Sequence, residues 1–254
     1  MLVRVEGVVL RTMDYGEGHK IVTLFTREQG KMGAVARGAK KPRSRLAAVT
    51  QPLTHGLYLC HAGGELATLS QGEVLHAFSR IRHDLLQTAY AAYILEVTDR
   101  LLAEREAHPR LFDQLVGILE QIEAGKDPEI LTRIYELRAL AASGVRPHLD
   151  ACVACGRLEA AAFSVREGGF LCSACRPADR DALDLTPAAA GVLRRLARVN
   201  VGQIGTINVK AETKAQLRRL FHAFWDAHVG VRLKSRDFLE QLESWAGDGP
   251  DRSG

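Results

Sequence analysis

Four of the five cysteines fall in one pattern: Cys152-x2-Cys155, sixteen intervening residues, then Cys172-x2-Cys175. Two such pairs sharing a metal must each sit on a tight turn, and the chain between them must fold back to join them. Gly156 suits the first turn, and Gly168-Gly169 suits a hairpin ahead of the second pair. The N-terminus, Met1-Leu2-Val3-Arg4-Val5-Glu6, lacks the basic region and apolar stretch of a secretory signal, so a cytoplasmic, reducing address is expected, where disulfides do not persist. A thioredoxin-like redox pair would need a single motif between strand and helix, not two in a loop. The spacing therefore predicts one structural Zn2+ on Cys152, Cys155, Cys172 and Cys175, with no position open to water or substrate. Cys60 stands alone at a predicted strand end and reads as a small core residue.

With 254 residues, 46% hydrophobic and 25% charged, the chain can bury two or three small cores. No apolar run approaches the roughly 20 residues of a membrane helix, so membrane classes are excluded. The formal charge of +4 is unevenly spread. Residues 1–82 carry 12 Lys/Arg against 6 Asp/Glu, residues 83–150 carry 7 against 12, and residues 185–254 carry 11 against 7. A basic front and tail favour a polyanion, and an acidic middle suits a basic partner or simply solvates helices.

The front of the chain alternates as strands do. Runs at 3–10, 21–26, 32–35, 53–60 and 66–75 are separated by turn-rich stretches, with Ala62-Gly63-Gly64-Glu65 as a hairpin turn. Five strands in this length make a small closed barrel of the OB (oligonucleotide-binding) or SH3-like kind. From about Arg80 the period becomes helical: Tyr90, Tyr93, Ile94, Val97 and Leu101 share one face, and Leu111, Leu115, Ile118, Leu119 and Ile122 another. Asp127-Pro128 and Thr186-Pro187 read as N-caps followed by proline at the first helical position. Leu217, Leu220, Phe221, Phe224, Trp225 and His228 form a further stripe, a last helix covers 237–245, and 247–254 reads as a flexible tail.

Between the third and fourth strands lies Arg37-Gly38-Ala39-Lys40-Lys41-Pro42-Arg43-Ser44-Arg45, five cations in nine residues with no acid. Glycine and proline keep it out of a helix, so the charges are not a solvated helical face. Clustered cations beside a barrel are the footprint of a nucleic-acid backbone, and Lys20, Arg27 and Lys31 would extend it. Tyr15, Phe25 and Tyr58 are the aromatics available for stacking, with Phe25 in an apolar run that favours the core, so binding is expected to be backbone-dominated and salt-sensitive. Further cations at Arg194, Arg195, Arg198 and at Lys210, Lys214, Arg218, Arg219 read as solvated helix faces. Those at Arg232, Lys234 and Arg236 interrupt apolar residues, a less routine pattern. Gly33-x4-Gly38 has Ala39 where a phosphate loop needs lysine, and no nucleophile elbow, His-Glu-x-x-His or carboxylate cluster beside a basic nuclease-like residue is present. His222 and His228 read as core-edge residues, and no enzyme is expected.

These motifs, in order, resemble the RecO family of bacterial DNA repair proteins. Similarity is carried by Gly7-Val8-Val9-Leu10-Arg11, Ile21-Val22-Thr23-Leu24-Phe25-Thr26, Gly30-Lys31 and the basic loop through Leu46. It continues through Glu65-Leu66, Gln71 and Phe78, then Tyr135-Glu136-Leu137-Arg138, Gly144, Pro147, Leu149, and the cysteine module with Phe163-Ser164. It ends in Leu233-Lys234-Ser235-Arg236-x-Phe238-Leu239; Val145 departs from the aromatic expected there. The resemblance implies an α+β multidomain fold: an OB-fold barrel over 1–79, a helical domain over 80–150 and 185–246, and an inserted zinc finger over 151–184. It implies a non-enzymatic, nucleoid-associated recombination mediator that binds single- and double-stranded DNA and anneals complementary strands. With RecR, such a protein helps RecA replace single-strand-binding protein. Lys20, Arg37, Lys40, Lys41, Arg43 and Arg45 are the expected DNA contacts. Arg232, Lys234 and Arg236 are the expected contacts for the acidic C-terminal tail of single-strand-binding protein. Competing classes are a zinc-ribbon RNA-binding or transcription-associated factor, and a nuclease or ligase subunit.

Overall fold

The computed structural model describes residues 1–206 and 208–247, with side chains through residue 242 except Ile207; residues 248–254 of the expected tail lie outside the described residues. Strands β1 (Leu2–Tyr15), β2 (His19–Thr26), β3 (Gly30–Ala36), β4 (His55–His61) and β5 (Ala67–His76) close into a barrel in the order β1-β2-β3-β5-β4. Neighbours are antiparallel except β3 and β5, which run parallel. This Greek-key closure is OB-like and decides between the two barrels left open by periodicity. Val5, Val9, Val22, Leu24, Tyr58, Cys60 and Leu69 fill the interior together with the small Ala34 and Ala36. The short helix α1 (Leu46–Val49) packs Leu46 and Val49 on that core, and the Tyr58 hydroxyl donates to the Val49 carbonyl at 3.0 Å.

All five strands differ from the sequence reading by a residue or more at their ends, and two of the differences have a visible cause. β1 continues past Leu10 to Tyr15, because a register shift between Val9 and Arg11 leaves Val8, Val9 and Leu10 all buried and erases the alternation there. β4 starts at His55 rather than 53, since Leu53 follows Pro52 in a left-handed turn (φ 70°) and donates its N–H to Val9.

The described residues form two compact units, 1–124 with 233–247, and 125–232. The first adds α2 (Ser79–Arg82), α3 (Leu85–Leu101), α4 (Pro109–Glu123) and α8 (Lys234–Gly247) to the barrel. α8 begins at Lys234, three residues before expectation, because Glu96 of α3 accepts the N–H groups of Lys234 and Ser235 and the Ser235 hydroxyl. The second unit holds α5 (Pro128–Ala142), α6 (Pro187–Arg198), α7 (Ala211–His228) and a small sheet of β6 (Ala162–Ser164), β7 (Gly169–Leu171) and β8 (Leu183–Asp184) in the order β7-β6-β8. Both cap-and-proline starts are realised: Asp127 accepts from Ile130 N–H at 3.2 Å and Thr186 from Ala189 N–H at 3.2 Å.

Candidate nucleic-acid interface and metal centre

The basic loop leaves β3 directly at Arg37 as a run of turns. Lys41 N–H donates to the Gly38 carbonyl at 3.0 Å and Ser44 N–H to Lys41 at 3.1 Å, with Gly38 in the left-handed region (φ 71°). Ala39 anchors the run, its methyl buried in the barrel core. On the other side Lys40 N–H donates to the Gly18 carbonyl at 3.1 Å and Gly38 N–H to His19 Nδ1 at 2.8 Å, tying the loop to the β1–β2 turn. The backbone is thus fixed while Arg37, Lys40, Lys41, Arg43 and Arg45 are exposed. Among the described residues no carboxylate lies within 4.0 Å of Arg37, Lys41, Arg43 or Arg45; Lys40 Nζ meets Asp14 Oδ2 at 2.5 Å. Lys20 is half-buried on β2, opposite Asp14 in the register.

Arg27 and Lys31 do not extend this patch. Arg27 reaches Asp113 at 3.2 Å, and Lys31 is buried with Nζ donating to the Asp99 carbonyl at 2.6 Å and facing Asp99 and Glu104 carboxylates. Both cations join barrel to helices within the first unit. Tyr58 is not a stacking platform either: it and Phe25 are wholly buried, leaving Tyr15 exposed. Sequence reasoning missed a groove of about 940 Å3 across the outer face of β1–β3, lined by Arg11, Met13, Ile21, Gly33, Leu66 and Arg105. Its signal was the exposed series Arg11, Met13 and Tyr15, which the bulge in β1 hides from a simple alternation.

In the second unit the two cysteine pairs meet. Gly156 N–H donates to the Cys152 carbonyl at 2.8 Å and Arg176 N–H to the Cys172 carbonyl at 2.9 Å, closing one turn at each pair. Gly168 (φ 69°) turns β6 into β7, and a Cβ on Gly169 would lie 2.4 Å from Val153 Cγ1 and 2.7 Å from the His148 carbonyl. Only glycine lets the two turns approach. The four Sγ atoms lie within 4.8 Å of one another, with Cys155 and Cys172 at 3.6 Å. Sulfurs about 2.3 Å from a tetrahedral zinc are about 3.8 Å apart, so the residues fit a metal ion. Burial opposes ionisation of Cys152, but N–H groups of Cys172, Ala154 and Cys155 and the Cys155 thiol outweigh it and bring its pKa down to about 6. Cys175, its proton held by the Cys155 and Cys172 sulfurs, goes up to about 12. Four facing thiols divide charge in this way, and a divalent cation lets all of them ionise. Cys60 is wholly buried in the barrel, where burial pushes its thiol up to about 11.

Two of the three α6 arginines are not merely solvated. Arg194 lies over the Phe170 ring at 5.0 Å and donates to the carbonyls of Leu149 and Leu158, clamping the module to α6, and Arg198 pairs with Asp150 at 2.6 Å. Arg218 likewise meets the buried Glu129 at 2.7 Å and Lys214 pairs with Asp127. Arg138, Arg146 and Arg198 rim a cavity of about 180 Å3 walled by Leu137, Pro147 and Leu149, a second feature the sequence did not announce. His228 packs on Phe224 and its Nε2 lies 2.6 Å from the Val165 carbonyl, as a core-edge residue does. Arg232 and Lys234 are exposed, and Arg236 is half-buried on α8 with Nε 3.9 Å from Glu240.

Two family models divide the chain at the change from strands to helices. Residues 1–78 match the one described as Recombination protein O N terminal, and residues 82–237 match Recombination protein O C terminal. The DNA repair protein RecO of Halalkalibacterium halodurans is 42% identical over 245 residues, 96% of each chain. That of Bacillus cereus is 44% identical over 246 residues, 96% of this chain and 99% of the relative. This chain belongs to the RecO family. Membership confirms the resemblance carried by the motifs and brings the family's role in DNA repair and recombination. In this RecO chain no described helix is long and apolar enough to cross a membrane.

Proposed function

We propose that the chain binds single- and double-stranded DNA through the loop 37–45 and anneals complementary strands, without breaking a bond. The observation that carries this is the fixed loop backbone presenting Arg37, Lys41, Arg43 and Arg45 with no carboxylate of the described residues within 4.0 Å. Unneutralised cations held at fixed spacing release counterions when they meet phosphates. Lys20 and Lys40 flank the same edge, and the β1–β3 groove, where Met13, Ile21 and Leu66 share the lining with Arg11, Glu65, Glu104 and Arg105, offers unpaired bases aliphatic contacts that hold them less tightly than aromatic platforms. Three to five phosphate contacts set the slope of log affinity against log salt at about −2 to −3.5 for single strands. Anisotropy of a labelled oligonucleotide across a salt series measures it, and a flat slope rejects the reading. The Lys41→Ala/Arg43→Ala variant should bind at least about tenfold more weakly and lose about 1.4 of the slope. Faster annealing of structured RNA than of complementary DNA would favour a zinc-ribbon RNA-binding factor instead.

The metal is one structural Zn2+, which supplies a cross-link between the two cysteine turns, with Cys152, Cys155, Cys172 and Cys175 as its ligands. The protein works with RecR to help RecA load on DNA coated by single-strand-binding protein, in the cytoplasm at the nucleoid. The acidic tail of that coating protein has two places to dock: the segment bearing Arg232, Lys234 and Arg236, and the cavity beside Arg146, where Arg138 already donates to the carbonyls of Ala197 and Val199 and Asp150 shares the lining. Titrating a tail peptide against Lys234→Ala and Arg146→Ala variants separates them, and wild-type affinity in both rejects both.

A further inference from the structure

A carboxylate sits where a surface built only to attract phosphate would have none. Asp14 lies near the end of β1, opposite Lys20, with Oδ2 2.5 Å from Lys40 Nζ. Neither end of this contact is a loose tip: Asp14 is paired in the sheet, Lys40 N–H is bonded to the Gly18 carbonyl, and the Lys41 stem lies against Gly18. The Asp14 and Lys40 side chains are 67% and 41% exposed, and a pair so exposed shifts an equilibrium by at most about fivefold. That is too little to hold a loop already pinned by its backbone and by Ala39. It is enough to compete with a ligand for the same ammonium group.

We propose that Asp14 is an internal stand-in for a phosphate. It occupies Lys40 in the free protein, is displaced by the nucleic-acid backbone, and recaptures Lys40 as the strand leaves, limiting how tightly one strand is held before its complement takes it. The inference rests on the loop being the nucleic-acid site. When phosphate displaces Asp14, the freed carboxylate gathers a cation from solution and cancels one released from the nucleic acid. Removing its charge therefore restores that release.

The test is binding and annealing of a labelled single strand across a salt series, comparing wild type with Asp14→Asn, Asp14→Glu and Glu17→Gln. Glu17 lies in the turn that follows β1 and makes no ion pair among the described residues. Asp14→Asn should bind about two- to fivefold more tightly and steepen the slope by about 0.7. It should also anneal more slowly at low salt by a similar factor, while Asp14→Glu and Glu17→Gln keep the wild-type slope. Unchanged or weaker binding by Asp14→Asn, tighter binding without a slope change, or an equal response from Glu17→Gln overturns the proposal. Wild-type binding by Lys41→Ala/Arg43→Ala would bring down the loop reading with it; lost binding there beside a silent Asp14→Asn removes only the role of Asp14.

Discussion

In the loop 37–45, the guanidiniums of Arg37, Arg43 and Arg45 meet no carboxylate of the described residues, whereas that of Arg194 in α6 stacks on Phe170 and donates to main-chain carbonyls. Both regions are written as clusters of cations. The difference lies in what the surrounding backbone needs. Loop 37–45 closes its own turns, so its side chains have nothing to satisfy. The cysteine module, with three short strands and two knuckles, leaves the carbonyls of Leu149 and Leu158 for a side chain to satisfy, and α6 supplies it. A cation becomes available to a partner where the local backbone is already complete.

The largest expected effect concerns the module that Arg194 clamps. Cys172→Ser should remove metal-linked folding free energy on the order of 10 kcal/mol, so that residues 151–184 lose hydrogen-exchange protection while the barrel keeps its own. Metal analysis and exchange read together decide it. Protection that survives without bound metal would mean that Phe163 and Phe170 suffice as a core, and the module would no longer contrast with the loop as a cross-linked region.

Arg194→Ala is the next step down, with an expected loss of about 2–3 kcal/mol from the ring contact and the carbonyls left without donors. Its exposed neighbour Arg195→Ala should stay within about 0.5 kcal/mol. Thermal melts measure both, and neither should move single-strand affinity by as much as the loop variant does. If Arg194→Ala weakened nucleic-acid binding while leaving stability intact, the assignment of roles to the two clusters would reverse.

The two sulfur environments sharpen the same contrast. Burial raises the Cys60 thiol to about 11, so the folded barrel keeps a proton that the unfolded chain loses above its ordinary value of about 8.5. That stability is present below the unfolded value and is lost as pH rises toward the folded one, by at most about 1.4 kcal/mol per pH unit and roughly 3 kcal/mol in all. Tyr58, also pushed up by burial and then by Cys60, adds a like effect at higher pH, so the control is Cys60→Ala. Urea midpoints of wild type and Cys60→Ala should converge between pH 8 and 10.5. Parallel curves would show a Cys60 that already ionises in the fold, like a metal-binding thiol rather than a core residue.

Regular features were legible in the sequence because local rules decide them. Asp127-Pro128 and Thr186-Pro187 start helices by capping, and the two Cys-x2-Cys pairs meet because glycine turns let them. Arg27, Lys31 and Arg194 were misread because their fate depends on groups far away in the chain: Asp113, Asp99 and the carbonyls of Leu149 and Leu158. The Lys40–Asp14 contact was hidden for the same reason, spanning 26 positions that only the barrel closure brings together.

The smallest expected effect asks whether the loop keeps its charge against its own comfort. Arg43 sits in the left-handed region (φ 61°), where a residue with a Cβ is strained by about 1 kcal/mol or more and glycine is not. Arg43→Gly gives back part of that through the greater freedom of glycine in the unfolded chain, so a net gain of about 0.5 kcal/mol is expected. The same substitution should weaken single-strand binding and reduce the salt slope by about 0.7. Opposite signs in the two measurements are what a cation retained for a ligand produces, since nothing in the fold rewards it. A variant that lost stability as well would place Arg43 among the cations that the structure itself consumes, beside Arg194, and the contrast between the two regions would narrow to Arg37, Lys41 and Arg45.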